Sequence, residues 1–538
     1  YYNCMGLKMR NTHFPGRSPV YSLDGMVSTS HPLATKAAID KLSQGANAID
    51  AAITAASVLA VVEPHSTGVG GDLFCLYCPS NTNEVIAMNA SGRAPEAVSL
   101  GKLESLGVKE SIPFQSPHAV TIPTGVAGWI KLIADHGSLP IKEILKPAIH
   151  YAKEGYIVAD VIADIWEREV IKLSTDQDCK NLFLPKNEFL KAGDVHYQLN
   201  LAETLKRIGE EGRAGFYEGD IAKDMVKKLN SMGGLHTMND FALAEANYVD
   251  PIAANYREAQ IFECPPNGQG VIALMIMRIL EGFDFSEMEP TSALRIHLQA
   301  EATKIAYSHR SHYLADPEFS DMPVEELLSD KYIQSLRSLI KLDSCIEGSY
   351  KPDMPRHPNT VYISVVDKNK NAVSLINSIF HSFGSGILAP ESGVLFQNRG
   401  ASFVLDPSHP NVIEARKRPM HTIIPALAKK EGKPFLSFGV MGGHYQPMGQ
   451  AHVLSNIIDY NMDPQASLDS PRSFYFDGVL ECEKGISNEV NKLLELKGHK
   501  VEVCELPHGG GQVIQYNHEN SSLIGGSDHR KDGCALGL

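Results

Sequence analysis

The sequence lacks the features of a membrane-spanning or nucleic-acid-binding protein. Its most apolar stretch, residues 51–62 (AAITAASVLAVV), lies between Asp50 and Glu63 and is shorter than the roughly 20 residues that a membrane-spanning helix needs. The 63 aspartate and glutamate residues outnumber the 49 lysine and arginine residues, giving a formal net charge of −14. Because phosphates and anionic lipids are bound by basic surfaces, we expect neither nucleic acid nor a membrane as partner.

Export signals, repeats and low-complexity tracts are also missing. The first residues, YYNCMGLKMRNTHFPGR, contain no apolar stretch and no small-residue cleavage site, so we expect no secretory signal. The nine cysteines are scattered, and the pair Cys75 and Cys78 has no second pair spaced for zinc. We therefore interpret these two as buried small side chains in a reducing, cytoplasmic protein. Hydrophobic residues at 43% and charged residues at 21% are typical of a globular chain with an extensive core.

The common catalytic and metal-binding motifs are absent as well. There is no HExxH, no GxSxG and no calcium-binding EF-hand loop, and TGVGGD (67–72) is not a nucleotide-binding glycine loop. We expect it to form a tight turn that brings backbone amides close to a neighbour. His297, His309 and His312 lie on one predicted helix, but no acidic partner is indicated. They are therefore interpreted as packed or solvated, and we expect no metal and no cofactor.

The local patterns predict a sheet that is covered by helices. Residues 33–45 and 47–62 have helical patterns, with Asn47 as the N-cap of the second, alanine-rich helix. After a proline-rich loop, TVYISVV (360–366) and AVSLINSIF (372–380) flank a polar turn and predict a β-hairpin. The first strand is apolar at nearly every position, so both of its faces should be covered. This favours a sheet sandwiched between helical layers.

Thr360, which opens this hairpin, is the most informative position. Within a chain its hydroxyl is a poor nucleophile, and a strand-initiating threonine is the simple interpretation. If the Asn359–Thr360 bond were cut, the new α-amine, with an ordinary pKa of roughly 7.7–8.0, could act as base for the hydroxyl of the same residue. The β-branched side chain would hold that hydroxyl in place.

The sequence resembles the γ-glutamyltransferase family of N-terminal nucleophile hydrolases over nearly its full length. The similar blocks include STSHPLATKAAIDKLSQGANAIDAAITAASVLAVVEPHSTGVGGD (28–72), SGRAPEAV (91–98), PPNGQG (265–270), AEATKIAYSHRSHYLADPEF (300–319), NTVYISVVDKNKNAVS (359–374), FGSGI (383–387), MGGHYQPMGQ (441–450) and GGSDHRKDG (525–533). The resemblance implies an α+β fold, a four-layer αββα sandwich, shared by a large piece (1–359) and a small piece (360–538). It implies that the precursor cuts itself before the nucleophile and that both pieces stay together, with a homodimer of such pairs as one possible assembly.

The resemblance also assigns roles to individual residues. Thr360 matches the nucleophile, and Ser378 stands where the family has a threonine that hydrogen-bonds it. Gly442 and Gly443 match the glycine pair whose N–H groups form the oxyanion hole. Arg93 matches the arginine that binds the substrate carboxylate, although its spacing from the following alanine-proline is two residues shorter than usual.

Other positions depart from the family pattern. The asparagine, glutamine and aspartate that hold the substrate α-amine in γ-glutamyl enzymes align with Phe380, Arg399 and Ser402. The family's paired serines align with His421 and Thr422. An ammonium beside Arg399 without a carboxylate is electrostatically unfavourable. This pattern is similar to the subgroup that includes oxamate amidohydrolases, whose substrate has a carboxylate and no amine.

Three hypotheses follow from these residues. The leading one is a self-cleaving amidohydrolase that acts on a small carboxylate-bearing, oxamate-like amide through an acyl-threonine. The second is a glutathione hydrolase or γ-glutamyl transferase with different contacts to the α-amine. The third is an uncleaved, non-catalytic family member with a binding or structural role. For Arg399, a structural pairing with Asp406 or Glu391 remains an alternative to a substrate contact.

Overall fold

A computed structural model describes residues 16–346 and 360–538. The described strands are β1 (Val20–Ser22), β2 (Met26–Thr29), β3 (Asp72–Cys78), β4 (Ile86–Ala90), β5 (Tyr156–Ile157), β6 (Val195–His196), β7 (Asn247–Val249), β8 (Ile252–Tyr256), β9 (Ala259–Glu263), β10 (Val361–Val366), β11 (Ala372–Ser378), β12 (Leu388–Ala389), β13 (Val394–Leu395), β14 (Ala426–Lys430), β15 (Lys433–Met441), β16 (Ser473–Phe476), β17 (Val479–Cys482), β18 (Val501–Val503), β19 (Gly510–Asn517), β20 (Ser522–Ser527) and β21 (Cys534–Gly537).

The helices are α1 (Pro32–Ser43), α2 (Ala48–Val62), α3 (Leu100–Ser105), α4 (Gly125–His136), α5 (Ile141–Glu154), α6 (Asp160–Arg168), α7 (Val170–Leu173), α8 (Gln177–Phe183), α9 (Leu199–Glu211), α10 (Ala214–Tyr217), α11 (Gly219–Ser231), α12 (Met238–Ala242), α13 (Gly270–Leu280), α14 (Ala293–Tyr313), α15 (Val324–Leu327), α16 (Asp330–Arg337), α17 (Gln446–Ile458), α18 (Pro464–Asp469) and α19 (Asn488–Leu496). Short 3₁₀ turns occupy Pro117–Ala119, Pro185–Asn187, Arg399–Ser402 and Gly443–Tyr445. None of the helices in the described ranges combines the length and apolar character of a membrane span.

Two seven-stranded antiparallel sheets form the centre of the molecule. Their strand orders are β1-β20-β19-β15-β14-β9-β8 and β21-β2-β10-β11-β3-β4-β7. Each sheet includes strands from both sides of the predicted cut, so the chain before Thr360 and the chain after it share one core. The boundary between a large and a small piece stays a prediction, but separating the two pieces would break ladders in both sheets.

The expected αββα layering is confirmed by three stacked apolar cores. Helices α1, α2 and α4 pack on the β10-containing sheet with α5 packed on α2, and α13 and α17 pack on the β15-containing sheet. A smaller core fills the space between the sheets and includes Phe74, Tyr362 and Ile514. Because β10 and β11 are buried on both faces, they have the nearly continuous apolar sequence of doubly covered strands.

The local sequence predictions for this core are confirmed. All fifteen residues of α2 are buried, and Asn47 forms a capping box with Asp50 at its start. Its alanines allow this helix to lie close to its neighbours. Strands β10 and β11 pair as the predicted hairpin, with Val361 opposite Asn377.

Cys75 and Cys78 are buried core residues, as the sequence predicts. Cys75 and Cys78 lie on β3, are both buried and have free thiols. Cys75 belongs to the core under the helices, whereas Cys78 belongs to the core between the sheets. Since successive side chains of a strand point to opposite faces, residues three apart cannot share a metal or form a disulfide here.

Candidate active site

The predicted catalytic residues meet at one end of the sandwich. β10 begins directly after Thr360, and its antiparallel partner β11 ends at Ser378. Across the sandwich, Ser364 Oγ lies 2.7 Å from Ser437 Oγ, and Gly439 lies against the ring of Tyr362. This antiparallel register places Thr360 at the same end as the last residue of β15 and the glycine turn that follows it.

Thr360 and Ser378 form the predicted hydroxyl pair. Both residues are buried, and a 2.7 Å hydrogen bond joins Thr360 Oγ1 to Ser378 Oγ. The Phe380 N–H also donates to Ser378 Oγ, at 3.0 Å. Ser378 is therefore held by its strand and by the residue that follows it, and it fixes the rotamer of the Thr360 hydroxyl.

Gly442 and Gly443 form a left-handed turn that requires glycine. Their φ angles are 112° and 55°, a region that side chains disfavour. A Cβ at Gly442 would also lie 3.0 Å from the Cα of Gly509. The turn ends β15 and leads through a 3₁₀ turn into α17. N–H groups in such a turn are fixed by the backbone, as an oxyanion site requires.

The glycine-rich segment 67–72 makes a close approach to this site. A Cβ at Gly71 would lie 2.3 Å from the carbonyl oxygen of Ser378, and one at Gly70 would lie 2.1 Å from that of Leu395. The expected close backbone approach is therefore present, and it presses against the strand end that holds Ser378. Nothing larger than glycine fits at Gly71 without moving β11, or at Gly70 without moving β13.

Arg399 is a buried cation beside the catalytic pair. Its side chain is fully buried, and its Nη1 donates to Thr422 Oγ1 at 3.0 Å. Its guanidinium lies over the Phe380 ring, 3.7 Å from the centroid. Its Nε has no hydrogen-bond partner within the described part of the chain. Burial lowers the pKa of Arg399 to about 9, an effect that the negative charge of Asp72 partly offsets.

Asp72 and His421 form a second buried pair next to Arg399. His421 Nε2 lies 2.9 Å from Asp72 Oδ2, while Asp72 Oδ1 accepts from the Gly92 N–H and from Gln397 Nε2, both at 2.9 Å. Burial, reinforced by the positive charge of Arg399, lowers the pKa of His421 to about 4. His421 is therefore neutral near pH 7, and Arg399 is the charged member of this pocket that can face a substrate anion.

The structural alternative for Arg399 lacks its proposed partners. Glu391 lies 3.6 Å from Lys227, and Asp406 accepts hydrogen bonds from Ser408. Neither carboxylate pairs with Arg399. Ser402, at the end of the same 3₁₀ turn, is buried, and its hydroxyl has no hydrogen-bond partner in the described ranges. Its backbone carbonyl accepts from Asn411 Nδ2 at 2.6 Å.

Arg93 lies in a different environment from Arg399. Its Nη2 is 2.5 Å from Glu318 Oε1, its Nη1 donates to the Arg416 carbonyl at 2.9 Å, and its side chain is one-fifth exposed. Arg418 shares Glu318 with it, at 3.1 Å. The guanidinium is thus already paired with a carboxylate. Its assignment to the substrate stays a prediction from the resemblance.

Three further residues of this region were not singled out from the sequence. Asp72 ends the quoted TGVGGD motif, Gln269 lies in the quoted PPNGQG motif, and Gln397 precedes Arg399 by two residues. Gln269 Nε2 donates to the carbonyls of Thr422 and Gly443, at 2.8 and 2.9 Å. The signal was their position inside glycine-rich motifs, but only the structure shows what they contact.

One cluster outside this site has side chains of metal-binding type. His297, Glu301 and His499 are buried together, so an acidic partner lies one turn from His297, contrary to the expectation for this helix. His297 Nδ1 is hydrogen-bonded to His499 Nε2 at 2.8 Å, and Glu301 pairs with Lys304 at 2.7 Å. The two imidazoles share a hydrogen bond and Lys304 supplies a positive charge to Glu301, while His499 Nδ1 has no hydrogen-bond partner in the described ranges. His309 bonds Tyr332, and His312 packs against Tyr313.

The αββα fold and the threonine that opens its central hairpin define an N-terminal nucleophile amidohydrolase. The Gamma-glutamyltranspeptidase family model matches residues 34–538, and the chain belongs to that family. It is a proenzyme of the hydrolase and acylase type.

The comparisons with individual proteins agree with this assignment. The chain is 34% identical to the Glutathione hydrolase-like YwrD proenzyme of Bacillus subtilis (strain 168), over 95% of this chain and 98% of that protein. It is 32% identical to the Oxamate amidohydrolase proenzyme of Klebsiella pneumoniae, over 96% of this chain and 99% of that protein. The crystal structure of cephalosporin acylase from Bacillus halodurans superposes with a TM-score of 0.92 at 35% identity, over 99% of each chain.

Proposed function

We propose that this enzyme cuts its own chain before Thr360 and then hydrolyses a small amide that bears a carboxylate next to the scissile carbonyl, as in oxamate. The observation that supports this most is the state of Arg399. It is a fully buried cation over the ring of Phe380, whose N–H bonds Ser378, its Nε lacks a partner among the described residues, and neither Glu391 nor Asp406 pairs with it. A substrate carboxylate would supply both the charge and the missing hydrogen bond.

The proposed mechanism uses groups of this chain alone. The α-amine released on Thr360 removes the proton of Oγ1, and Oγ1 attacks the amide carbonyl carbon. The Gly442 and Gly443 N–H groups bind the oxyanion that forms. The C–N bond then breaks, the leaving amine takes the proton from the α-amine, and an acyl ester of Thr360 remains. Water, deprotonated by the same amine, hydrolyses that ester and restores the hydroxyl; oxamate would give oxalate and ammonia.

Glutathione hydrolysis is the second candidate because several relatives have that name. Its substrate has an α-amine next to an α-carboxylate, so a carboxylate partner for the ammonium is needed. Asp72 is the acidic group whose charge acts on Arg399, and both of its oxygens are occupied by His421, Gln397 and Gly92. The α-ammonium of glutathione would also lie close to the positive charge of Arg399, which repels it. We therefore expect oxamate to be hydrolysed faster than glutathione, and the reverse order would favour the second candidate.

The first experiment is Thr360→Ala, which removes the nucleophile. We expect a single uncut band on a denaturing gel and loss of all oxamate hydrolysis, whereas the unaltered chain gives two bands. Amino-terminal sequencing of the smaller band should give Thr-Val-Tyr-Ile. Two bands of normal size from the variant would refute the assignment. A single band from the unaltered protein after long incubation would support the non-catalytic hypothesis.

The second experiment is Ser378→Ala, which removes the hydrogen bond to Thr360 Oγ1. We expect kcat for oxamate to fall roughly 10- to 100-fold, because an unheld hydroxyl populates unproductive rotamers. Ser374→Ala is a matched control, since Ser374 lies on the same strand and bonds the Tyr362 hydroxyl at 2.7 Å. That variant should keep kcat within a few-fold. Equal losses in both variants would mean that Ser378 has only a structural role.

A further inference from the structure

We infer that Gln269 is a positioning residue that fixes the spacing between the anion-binding pocket and the oxyanion turn, and thereby selects substrates by the distance from carboxylate to scissile carbonyl. This inference rests on the proposed function for the identity of the anion. Gln269 touches neither the nucleophile nor the proposed anion directly. Its role follows from the two segments that its side chain holds together.

A single amide nitrogen joins the two parts of the site. Gln269 Nε2 donates to the Thr422 carbonyl at 2.8 Å and to the Gly443 carbonyl at 2.9 Å. Thr422 contacts Arg399 through its hydroxyl. Gly443 belongs to the turn whose N–H groups would bind the oxyanion. The two segments lie on different parts of the chain, and this NH₂ group sets their separation to the length of two hydrogen bonds.

The orientation of that amide is itself fixed. Arg310 Nη1 donates to Gln269 Oε1 at 2.9 Å, so the oxygen and the nitrogen of the amide cannot exchange places without facing donor to donor. The Gln269 N–H donates to the His421 carbonyl at 2.9 Å, which ties its backbone to the residue before Thr422. Gln269 is fully buried, so water cannot replace these bonds.

The same network reaches the far side of the oxyanion turn. Arg310 Nη1 also lies 2.9 Å from His444 Nδ1, and the Tyr307 hydroxyl donates to the His444 carbonyl. His444 directly follows Gly443. The turn is therefore held at Gly443 by Gln269 and at His444 by Tyr307 and Arg310 of helix α14. A turn supported in this way does not need to reorganise when the oxyanion forms.

The chemistry of the side chain explains why glutamine stands at this position. Two donors on one atom are needed for the two carbonyls, and one acceptor is needed for Arg310. Glutamate would place a carboxylate oxygen against both carbonyls, and leucine would remove the donor that the two carbonyls share and the acceptor that Arg310 faces. Either change loosens the spacing while leaving Thr360, Ser378 and Arg399 in place.

The test compares two amides that differ in that spacing. Oxamate has its carboxylate directly on the scissile carbonyl, and succinamate has it two carbons further away. In processed Gln269→Leu we expect kcat for oxamate to fall roughly 10- to 100-fold, the scale of a misplaced reacting group. We expect a smaller fall for succinamate, so that the ratio of kcat/KM values for the two substrates drops at least fivefold. Gln269→Glu should likewise lower kcat for oxamate and the ratio of kcat/KM for oxamate to that for succinamate.

Gln450→Leu is the matched control for a structural effect. Gln450 is equally buried, and its Nε2 donates to the Ile424 carbonyl at 2.6 Å, two residues beyond Thr422. This variant should lose thermal stability and keep the substrate ratio of the unaltered enzyme. A fall in kcat for Gln269→Leu with an unchanged ratio would overturn the inference, as would an equal change of ratio in Gln450→Leu.

A variant that does not fold and a proposed substrate that is not hydrolysed are told apart by separate measurements. If Gln269→Leu does not give folded, processed protein, Arg310→Lys removes the bond to Gln269 Oε1 while keeping the charge, and the same drop in ratio is expected. An unchanged ratio in that variant would then overturn the inference. If the unaltered enzyme hydrolyses another amide and not oxamate, the proposed substrate fails. The positioning role is then judged by kcat for that amide, which Gln269→Leu must lower at least tenfold while Gln450→Leu does not.

Discussion

Two regions of the molecule present an arginine near the same end of the sandwich, and they differ in what already neutralises it. Arg399 is fully buried over Phe380, with a threonine hydroxyl as partner and an Nε that no group in the described part of the chain bonds. Arg93 is partly exposed and forms an ion pair with Glu318, which Arg418 shares. The first is a buried cation whose charge is partly offset by Asp72, a carboxylate already bonded to His421, Gln397 and Gly92, and the second is a partly exposed cation with a carboxylate of its own.

This difference in pairing shows that residue type and motif position do not suffice to identify a substrate contact. A guanidinium that already has a carboxylate gains little by exchanging it for another, because the old pair must be broken. A buried guanidinium without a carboxylate gains both a charge partner and a hydrogen bond. We therefore expect the substrate carboxylate to bind at Arg399, and variants of the two regions can sharpen or break this comparison.

The largest effect is expected for Arg399→Gln. Losing a charge-assisted hydrogen bond to the substrate should raise the KM for oxamate roughly 10- to 100-fold. Pyruvamide, in which an uncharged methyl group replaces one of the carboxylate oxygens, should be hydrolysed equally well by the variant and by the unaltered enzyme. Steady-state kinetics with both substrates provide the measurement. An unchanged KM for oxamate in folded, processed protein would assign Arg399 a structural role.

A second effect is expected in the dependence on pH. Since burial lowers the pKa of Arg399 to about 9, its cation is present below that pH and is lost as the pH rises through it. The KM for oxamate should therefore rise above about pH 9, while that for pyruvamide should not. At lower pH, kcat should rise as the Thr360 α-amine loses its proton, near its ordinary pKa of roughly 7.7–8.0. A KM for oxamate that stays flat to pH 10 would separate Arg399 from substrate binding.

The smallest effect is expected for Arg93→Gln. The variant breaks a partly exposed ion pair, so we expect the free energy of unfolding to fall by about 1 kcal/mol or less and the KM for oxamate to change less than about twofold. Glu318→Gln breaks the same pair from the other side and should behave alike. Chemical denaturation and steady-state kinetics measure these effects. A rise in KM as large as that of Arg399→Gln would restore Arg93 as the substrate contact that the resemblance implies.

Much of the fold could be predicted because its signals are local. The capping box at Asn47, the apolar runs of β10 and β11 and the turn between them are set by residues within a few positions of one another. The roles of Thr360 and Ser378 came from the resemblance, and the hairpin then brings the two together, because Thr360 directly precedes β10 and Ser378 ends β11. The positive φ angles of Gly442 and Gly443 agree with a motif that tolerates only glycine.

The remaining parts of the site could not be predicted because they depend on contacts between distant segments. Asp72 and His421 are 349 positions apart in the chain, and Gln269 meets Gly443 across 174 positions. Hydrogen-bond partners at such separations leave no periodic pattern in one sequence. The helix containing His297 shows the same limit, because its histidine partner is His499.

The sequence by itself determined the layered architecture and the hairpin that Thr360 opens, because burial patterns and backbone preferences act over short stretches of chain. Its resemblance to the family assigned the roles of Thr360 and Ser378, which stay predictions. Only the tertiary structure decided which arginine is buried without an ion pair in the described ranges, which histidine is held neutral and which glutamine joins the two halves of the site. Those properties are set by how far a group is removed from water and by what lies within hydrogen-bonding distance of it. Both quantities exist only once remote segments have packed together.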